Sequence, residues 1–433
     1  MKKSSVGGFP KTSVFGKAPL AFIGMGMLLL CMGPLQNGFA QNEEPHAAGV
    51  IVGFEVVGLK RTKNSVVQKA LEKFIGQKSD EIDLPAVHAA LMETGILDPE
   101  NVEIRDGGGD KILFVEVVEK WTILPLPMFM ADTNGYISGG LFVMDMNVFG
   151  INDKFSLGGI YGTGGGMAML FYAHSGRKTT LPDWSIAAVY TFGENKITDQ
   201  KSNILCRWNA HVIRGAASLG YSFLGDRFKT SLDFGFNDNI PAGPESGFLP
   251  PEKPVMRISL SPGLDYYQSS FDGFLMESQS FSLSYTTALG IGGDTVQSIE
   301  FKGLFEKSML PGFKLIFSFA AGHTFHADRF TLLHPSFVVP ILPASYGAKT
   351  FFAAQDGIEK YLFRWKYGTL SVKANYQIVE SESPGLGWNF DHGPGAAISF
   401  FLSRIALPAV SITFNYNIPK QHFVSGFSMG MSF

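Results

Sequence analysis

The sequence predicts a membrane all-β protein, an antiparallel transmembrane β-barrel of about 16 strands preceded by one small α+β domain. Three observations carry that prediction. The chain closes on Phe427, Met429, Met431 and Phe433 alternating strictly with Gly426, Ser428, Gly430 and Ser432, and a period of two places each set on one face of a strand. The same alternation recurs through residues 121–433. Charged residues are only 17% and aromatics 13%, while mean hydropathy is close to neutral at +0.12. A barrel with one face in lipid and one in a wet lumen averages to such a value, whereas a helical membrane protein is far more apolar.

The first element is a secretory signal over residues 1–40. Lys2, Lys3, Lys11 and Lys17 make a basic start, Ala18 to Leu35 is apolar, and Gly38-Phe39-Ala40 supplies small residues for cleavage after Ala40. Gly24, Gly26, Gly33 and Pro34 interrupt the apolar run, which argues against an uncleaved anchor. Leu30 before Cys31 argues against a lipoprotein. Removal of the signal leaves Cys206 as a lone thiol, so no internal disulfide is expected, and Cys206 reads as a small apolar strand residue.

Residues 49–120 read as strand, helix, helix, strand, strand. Val50 to Val57 is apolar and β-branched and ends at Gly58. Val66, Val67, Ala70, Leu71, Phe74 and Ile75 follow at helical spacing, with Asn64 or Ser65 as cap and Gly76 as stop. Leu84, Val87, Leu91 and Met92 mark a second helix closed by Gly95. Asn101 to Arg105 and Lys111 to Val118 form two strands around Gly107-Gly108-Gly109.

From Trp121 onward the spacing is that of strands. Phe281, Leu283 and Tyr285 oppose Ser282 and Ser284; Leu370, Val372, Ala374, Tyr376 and Ile378 oppose Ser371, Lys373, Asn375 and Gln377; Ile412, Phe414, Tyr416 and Ile418 oppose Ser411, Thr413, Asn415 and Asn417. Division of residues 121–433 at ~20 residues per tilted strand and turn gives about 16 strands. Asp132-Thr133-Asn134-Gly135 and Asn152-Asp153 read as short turns, and Gly162 to Gly166 as a tight hairpin. Two interruptions are long: Asn237 to Pro254, and His323 to about Lys360. With a periplasmic N-terminal domain, both are expected outside or folded into the lumen.

The small domain resembles a polypeptide-transport-associated (POTRA) domain at Gly58-Leu59-Lys60-Arg61-Thr62, at Leu91 with Gly95-Ile96, and at Val115 to Lys120. The whole layout resembles the BamA/TamA-type surface-antigen superfamily of outer membrane barrels, through the Glu119 to Pro125 junction, the Met146-Asn147-Val148-Phe149-Gly150 turn and Asp391-His392-Gly393-Pro394-Gly395. That family carries a Val-Arg-Gly-Phe/Tyr motif in its long lumenal loop; here Ala354-Gln355-Asp356-Gly357 stands at roughly that position, and Ile213-Arg214-Gly215-Ala216 reads as strand. The family's loop Arg pairs with an Asp-x-Gly in the wall, which Asp391-His392-Gly393 matches. An unpaired carboxylate inside is costly, so Arg364 or Lys360 is the expected cation for Asp391.

The resemblance implies localisation in the cell outer membrane with the N-terminal domain in the periplasm. It implies insertion, assembly or translocation of other proteins, by strand augmentation at the small domain's edge and at a seam between first and last strands. Pro125 and Pro127 on one side, and Phe427, Met429, Met431 and Phe433 on the other, mark that seam; each proline removes a ladder donor. The expected partners are outer membrane lipids, unfolded outer membrane or secreted client proteins, and periplasmic chaperones or accessory lipoproteins. A net charge of -3 gives no reason to expect nucleic acid. No catalytic constellation and no cofactor motif is present, so the chain is not read as an enzyme. His323, His326, Asp328 and His334 could bind a metal but read better as ordinary loop residues. The alternative function is a passive outer membrane channel or surface antigen with the same fold, favoured by the missing Arg-Gly motif and the single small domain.

Overall fold

The computed structural model describes residues 49–108, 110–131, 137–175, 182–224, 227–242, 246–247, 254–272, 275–291, 294–329, 331–365, 368–402 and 410–429. The signal segment, the 132–135 turn, Met431 and Phe433 lie outside the described residues.

The small domain is built as its residue pattern predicts. β1 (Ile51–Val57), α1 (Asn64–Leu71), α2 (Leu84–Met92), β2 (Leu97–Asp106) and β3 (Lys111–Glu119) follow in chain order. The sheet order is β1-β3-β2, with β1 parallel and β2 antiparallel to β3. One helical face of Val67, Leu71, Val87 and Leu91 packs on Ile51, Leu97, Leu113 and Val115, all fully buried. Two bounds differ from the sequence reading. β2 starts four residues earlier, at Leu97, with a bulge between Pro99 and Asn101 that absorbs the proline. The N-cap of α1 is Lys63, which is extended, rather than Asn64 or Ser65; its N–H is drawn to the carbonyl of Gly150 at 2.8 Å. Gly76 and Gly95 have φ of 88° and 74°, the left-handed backbone that stops a helix or turn cheaply with glycine.

The remaining strands form one antiparallel sheet. They are β4 (Ile123–Ala131), β5 (Ile137–Val148), β6 (Asp153–Gly162), β7 (Gly165–His174), β8 (Asp183–Thr198), β9 (Ile204–Phe223), β10 (Phe228–Pro241), the dipeptide β11 (Ser246–Gly247), β12 (Val255–Asp272), β13 (Leu275–Gly290), β14 (Thr295–Leu310), β15 (Phe313–Phe325), β16 (Thr350–Trp365), β17 (Gly368–Ser383), β18 (Gly387–Leu402), β19 (Val410–Asn417) and β20 (His422–Met429). Sixteen are full strands, and the order closes on itself with β20 beside β4. Alternation sets the two faces. Leu141, Leu157, Ile186, Ile213, Phe281, Leu283, Phe317, Tyr376, Ile378, Ile412 and Phe414 stand exposed on the outside, while the sequence neighbours Ser156, Val212, Gln377, Ser411 and Asn415 are buried on the inside.

Antiparallel alternation sorts the connections between the two ends. The turns after β5, β7, β9, β12, β14, β16 and β18 lie at the end carrying the small domain, the near end; those after β6, β8, β10, β13, β15, β17 and β19 lie at the far end. Both long connections are therefore far-end features, and both are shorter than the alternation suggested. β10 continues to Pro241, and the second interruption runs only from His326 to Lys349. Ala354 to Gly357 is accordingly strand, inside β16, and not part of a loop. Its Gly357 misleads in the sequence, because on β16 it simply makes room for Asn375.

Candidate functional site

The far-end loop 326–349 is turned inward. Val339, Ile341, Leu342 and Tyr346 are each at most 1% exposed, and they pack with Ala320 of β15, Phe351 and Ala353 of β16 and Val379 of β17. Leu332 packs on Ile197, Cys206, Trp208, Ala210 and Val212 of β8 and β9. Full burial of an aliphatic or aromatic side chain is worth about 1.5–3 kcal/mol. Burial of these four side chains thus contributes about 6–12 kcal/mol, set against the conformational entropy of ordering the loop. The inner wall at this height is apolar, against the expectation of a wet lumen, because the loop replaces water there.

Polar contacts then fix the register of the loop. The N–H of Ile341 donates to Gln377 Oε1 at 2.9 Å, and Gln377 Nε2 donates to Asn375 and Asn415, each at 2.8 Å. Gly395 leaves the space for this amide cluster, since a Cβ there would lie 2.3–2.5 Å from all three side chains. Tyr346 Oη meets Ser381 Oγ at 2.8 Å, and Thr198 Oγ1 meets Ser345 Oγ at 2.9 Å. At the loop's start, the buried guanidinium of Arg257 joins Asp294 at 2.6 Å and also Asp328. The next residue, Arg329, stacks on Trp208 with its guanidinium 4.6 Å from the ring centre.

The small domain docks at the near end. Arg61 reaches Asp145 of β5 at 2.5 Å and Thr122 at 2.9 Å. Asn147 Nδ2 donates to Thr62 at 2.9 Å. Gly150, with φ 72°, lies so close to the Arg61 carbonyl that a Cβ would be 2.3 Å from it. Lys69 Nζ bonds Ser175 at 2.8 Å after β7, and Ser269 Oγ bonds Glu93 at 3.1 Å near the end of β12. These anchor points lie on the arc of the rim from β5 to β12. Glu119 organises the segment that makes the main contact. Burial would raise its pKa, but the backbone N–H groups of Arg61, Lys60 and Thr62 outweigh that and hold the carboxyl below the usual range.

The expected site residues fall as follows. Asp391 is fully buried on the inner face of β18 and accepts from Asn417 at 3.1 Å; its Oδ2 has no hydrogen-bond partner among the described residues. Lys360 and Arg364 are not its partners. Asp391 stands beside Val379, which stands beside Ala353. Lys360 and Arg364 are exposed and lie seven and eleven residues nearer the other end of β16. Seven residues of strand span about 23 Å, beyond any side chain's reach. Asp328 is committed to Arg257, His323 to Thr350, and His334 to the Tyr346 carbonyl, and no metal-binding group exists among the described residues. Pro125 and Pro127 sit in β4, next to β20 in the closed order. Phe427 and Met429 lie in β20. Arg257, Arg329, Trp208, Tyr346 and Gln377 were not anticipated. One signal was available: Cys206, Trp208, Ala210 and Val212 form an apolar run on the inward phase of β9, where a water-lined wall should be polar.

No protein-family model and no curated protein matches the chain. Solved structures do. CdiB from Acinetobacter baumannii superposes with a TM-score of 0.54 at 11% identity, over 88% of this chain and 74% of that one. CdiB from Escherichia coli gives 0.51 at 13% identity, over 94% and 97%. The chain has the fold of CdiB. BamA from Haemophilus ducreyi lacking POTRA domains 1-3 also matches, at 13% identity and a TM-score of 0.49, over 88% of this chain and 84% of that one.

Proposed function

We propose that the chain is an outer membrane barrel of the BamA/TamA and CdiB type that inserts or translocates other polypeptides, with residues 49–120 acting as a periplasmic POTRA domain. The exposed aliphatic and aromatic outer wall fits lipid as its solvent. The order β1-β3-β2 with two helices on one face fits the POTRA assignment made from residues 58–62, 91–96 and 115–120. The outer edge of β2, which pairs only with β3, can accept an extended client segment by backbone pairing.

The observation that carries the proposal is the loop packed inside the far end of the barrel, combined with the clamping of the small domain onto the β4–β5 hairpin through Arg61, Thr122 and Asp145. A protein built to be a permanently open pore has no use for a loop whose apolar side chains are buried inside its far end. A protein that works at its wall, or that opens only with a client, does. The passive-channel reading predicts large steady conductance from purified protein in planar bilayers. The present reading predicts a nearly silent barrel that becomes conductive when residues 329–348 are removed. Large conductance of the unaltered chain would refute it.

A further inference from the structure

We infer that the outer wall at the small-domain end carries a site for one phospholipid, whose phosphate sits between His174 of β7 and Lys69 of α1; this rests on the membrane placement proposed above. Asp153 opens β6 in the phase of Leu157, which is 50% exposed on the outer face, and residues an even number apart on a strand share a face. A bare carboxylate in that phase would meet lipid, yet Asp153 is fully buried. Its neighbours enclose it. Tyr172 Oη donates to Oδ2, and His174 Nδ1 lies 2.9 Å from Oδ1 and 3.0 Å from Oδ2. Trp184 stacks on Tyr172 with ring centres 5.2 Å apart and lies 5.8 Å from the His174 ring. Register pairs His174 with Trp184 and Tyr172 with Ile186, and Trp184 and Ile186 are both exposed, so the whole cluster faces outward.

The cluster has the chemistry of an anion site at a membrane interface. Asp153 engages Nδ1 of His174, so Nε2 is left for an outside partner, and no hydrogen-bonding group among the described residues takes it. In the imidazolium both ring nitrogens donate. Lys69 brings a second cation to the same place: its Nζ lies 2.8 Å from the Oγ and 3.0 Å from the carbonyl of Ser175, the residue after His174. Asp153, buried behind the imidazole, is shielded from a phosphate held by these two groups. Trp184 and Tyr172 are the amphipathic rings that settle at headgroup level. Beyond them Leu157, Leu170 and Ile186 continue the outer wall as exposed aliphatic surface, where acyl chains lie. Free phosphate would use the cations alone, whereas a phospholipid uses cations, rings and wall together. Because Lys69 belongs to the small domain and His174 to the barrel, the lipid also ties α1 to the wall.

Native mass spectrometry of the full chain in detergent tests this, with phosphatidylglycerol as the probe. One phosphatidylglycerol should be retained at a concentration where diacylglycerol, which lacks the phosphate, is not. His174→Gln and Lys69→Gln should each weaken retention about tenfold, the effect of one charged hydrogen bond. Lys69 is off the buried face of α1, so Lys69→Gln probes the site without touching the core. Lys360→Gln, which alters an exposed cation on the opposite side of the barrel order, should change nothing. Unchanged retention in both site variants, or an equal loss in Lys360→Gln, would overturn the site. Displacement of the lipid by inorganic phosphate at equal concentration would overturn the choice of a phospholipid. A chain that retains the lipid but whose depletion leaves every other outer membrane protein unaffected keeps this site and overturns only the protein-handling function.

Discussion

Glu119 shows how one side chain sets a docking geometry. Its carboxylate collects three consecutive backbone N–H groups and so shapes residues 60–62 to meet the barrel. The folded pKa is lowered, so this contribution is complete above the unfolded value and is lost as pH falls through the folded one. Protection of the amides of residues 60–62, relative to the unstructured exchange rate at the same pH, should fall as the carboxyl is protonated on acidification, and Glu119→Gln should show the reduced protection already at pH 7. Arg61→Ala removes the contacts to Asp145 and Thr122. Because Arg61 is 40% exposed, about 1 kcal/mol is the expected loss. Limited proteolysis between residues 58 and 64 is the readout, with faster cleavage and an intact barrel.

These residues were only partly legible in sequence. Gly58 to Thr62 stood out through the family resemblance, but nothing local in the sequence told that Arg61 faces Asp145, 84 positions away. The expected pairing of Asp391 with Lys360 or Arg364 failed for a geometric reason: alternation reveals which face a residue is on, and says nothing of its height along the wall. Register supplies height, and it places those cations some seven to eleven residues too far along β16.

Among the elements, strands were the most legible, since a period of two repeats on nearly every one. Loop 326–349 was the least. Its apolar residues have no periodicity, because they fill a mouth of irregular shape, and the strand phases that receive them look like ordinary apolar wall. Its seating makes sharp predictions. Tyr346→Ala, which deletes a fully buried ring, should destabilise the seated loop by about 3–5 kcal/mol, read as bursts of conductance in planar bilayers. Tyr346→Phe keeps the ring and orphans Ser381, at about 1 kcal/mol, and should stay silent. Gly395→Val would drive a side chain into Asn375, Gln377 and Asn415 and should release Ile341, giving the conductive behaviour of Tyr346→Ala.

For the whole molecule, the near-neutral hydropathy and the repeating alternation made the barrel legible, and the small domain was legible because its helical and strand periods change within some 70 residues. What sequence could not supply was long-range placement: the domain docked at one end of the barrel and the loop packed inside the other. The loop packed inside the far end and the domain docked on the first hairpin are what the proposed protein-handling function rests on. The most direct measurement is the quantitative composition of the outer membrane and the medium after depletion of this protein. The account predicts loss of a defined set of other outer membrane or secreted proteins before growth slows. An otherwise unchanged proteome, with only this chain missing, would contradict it.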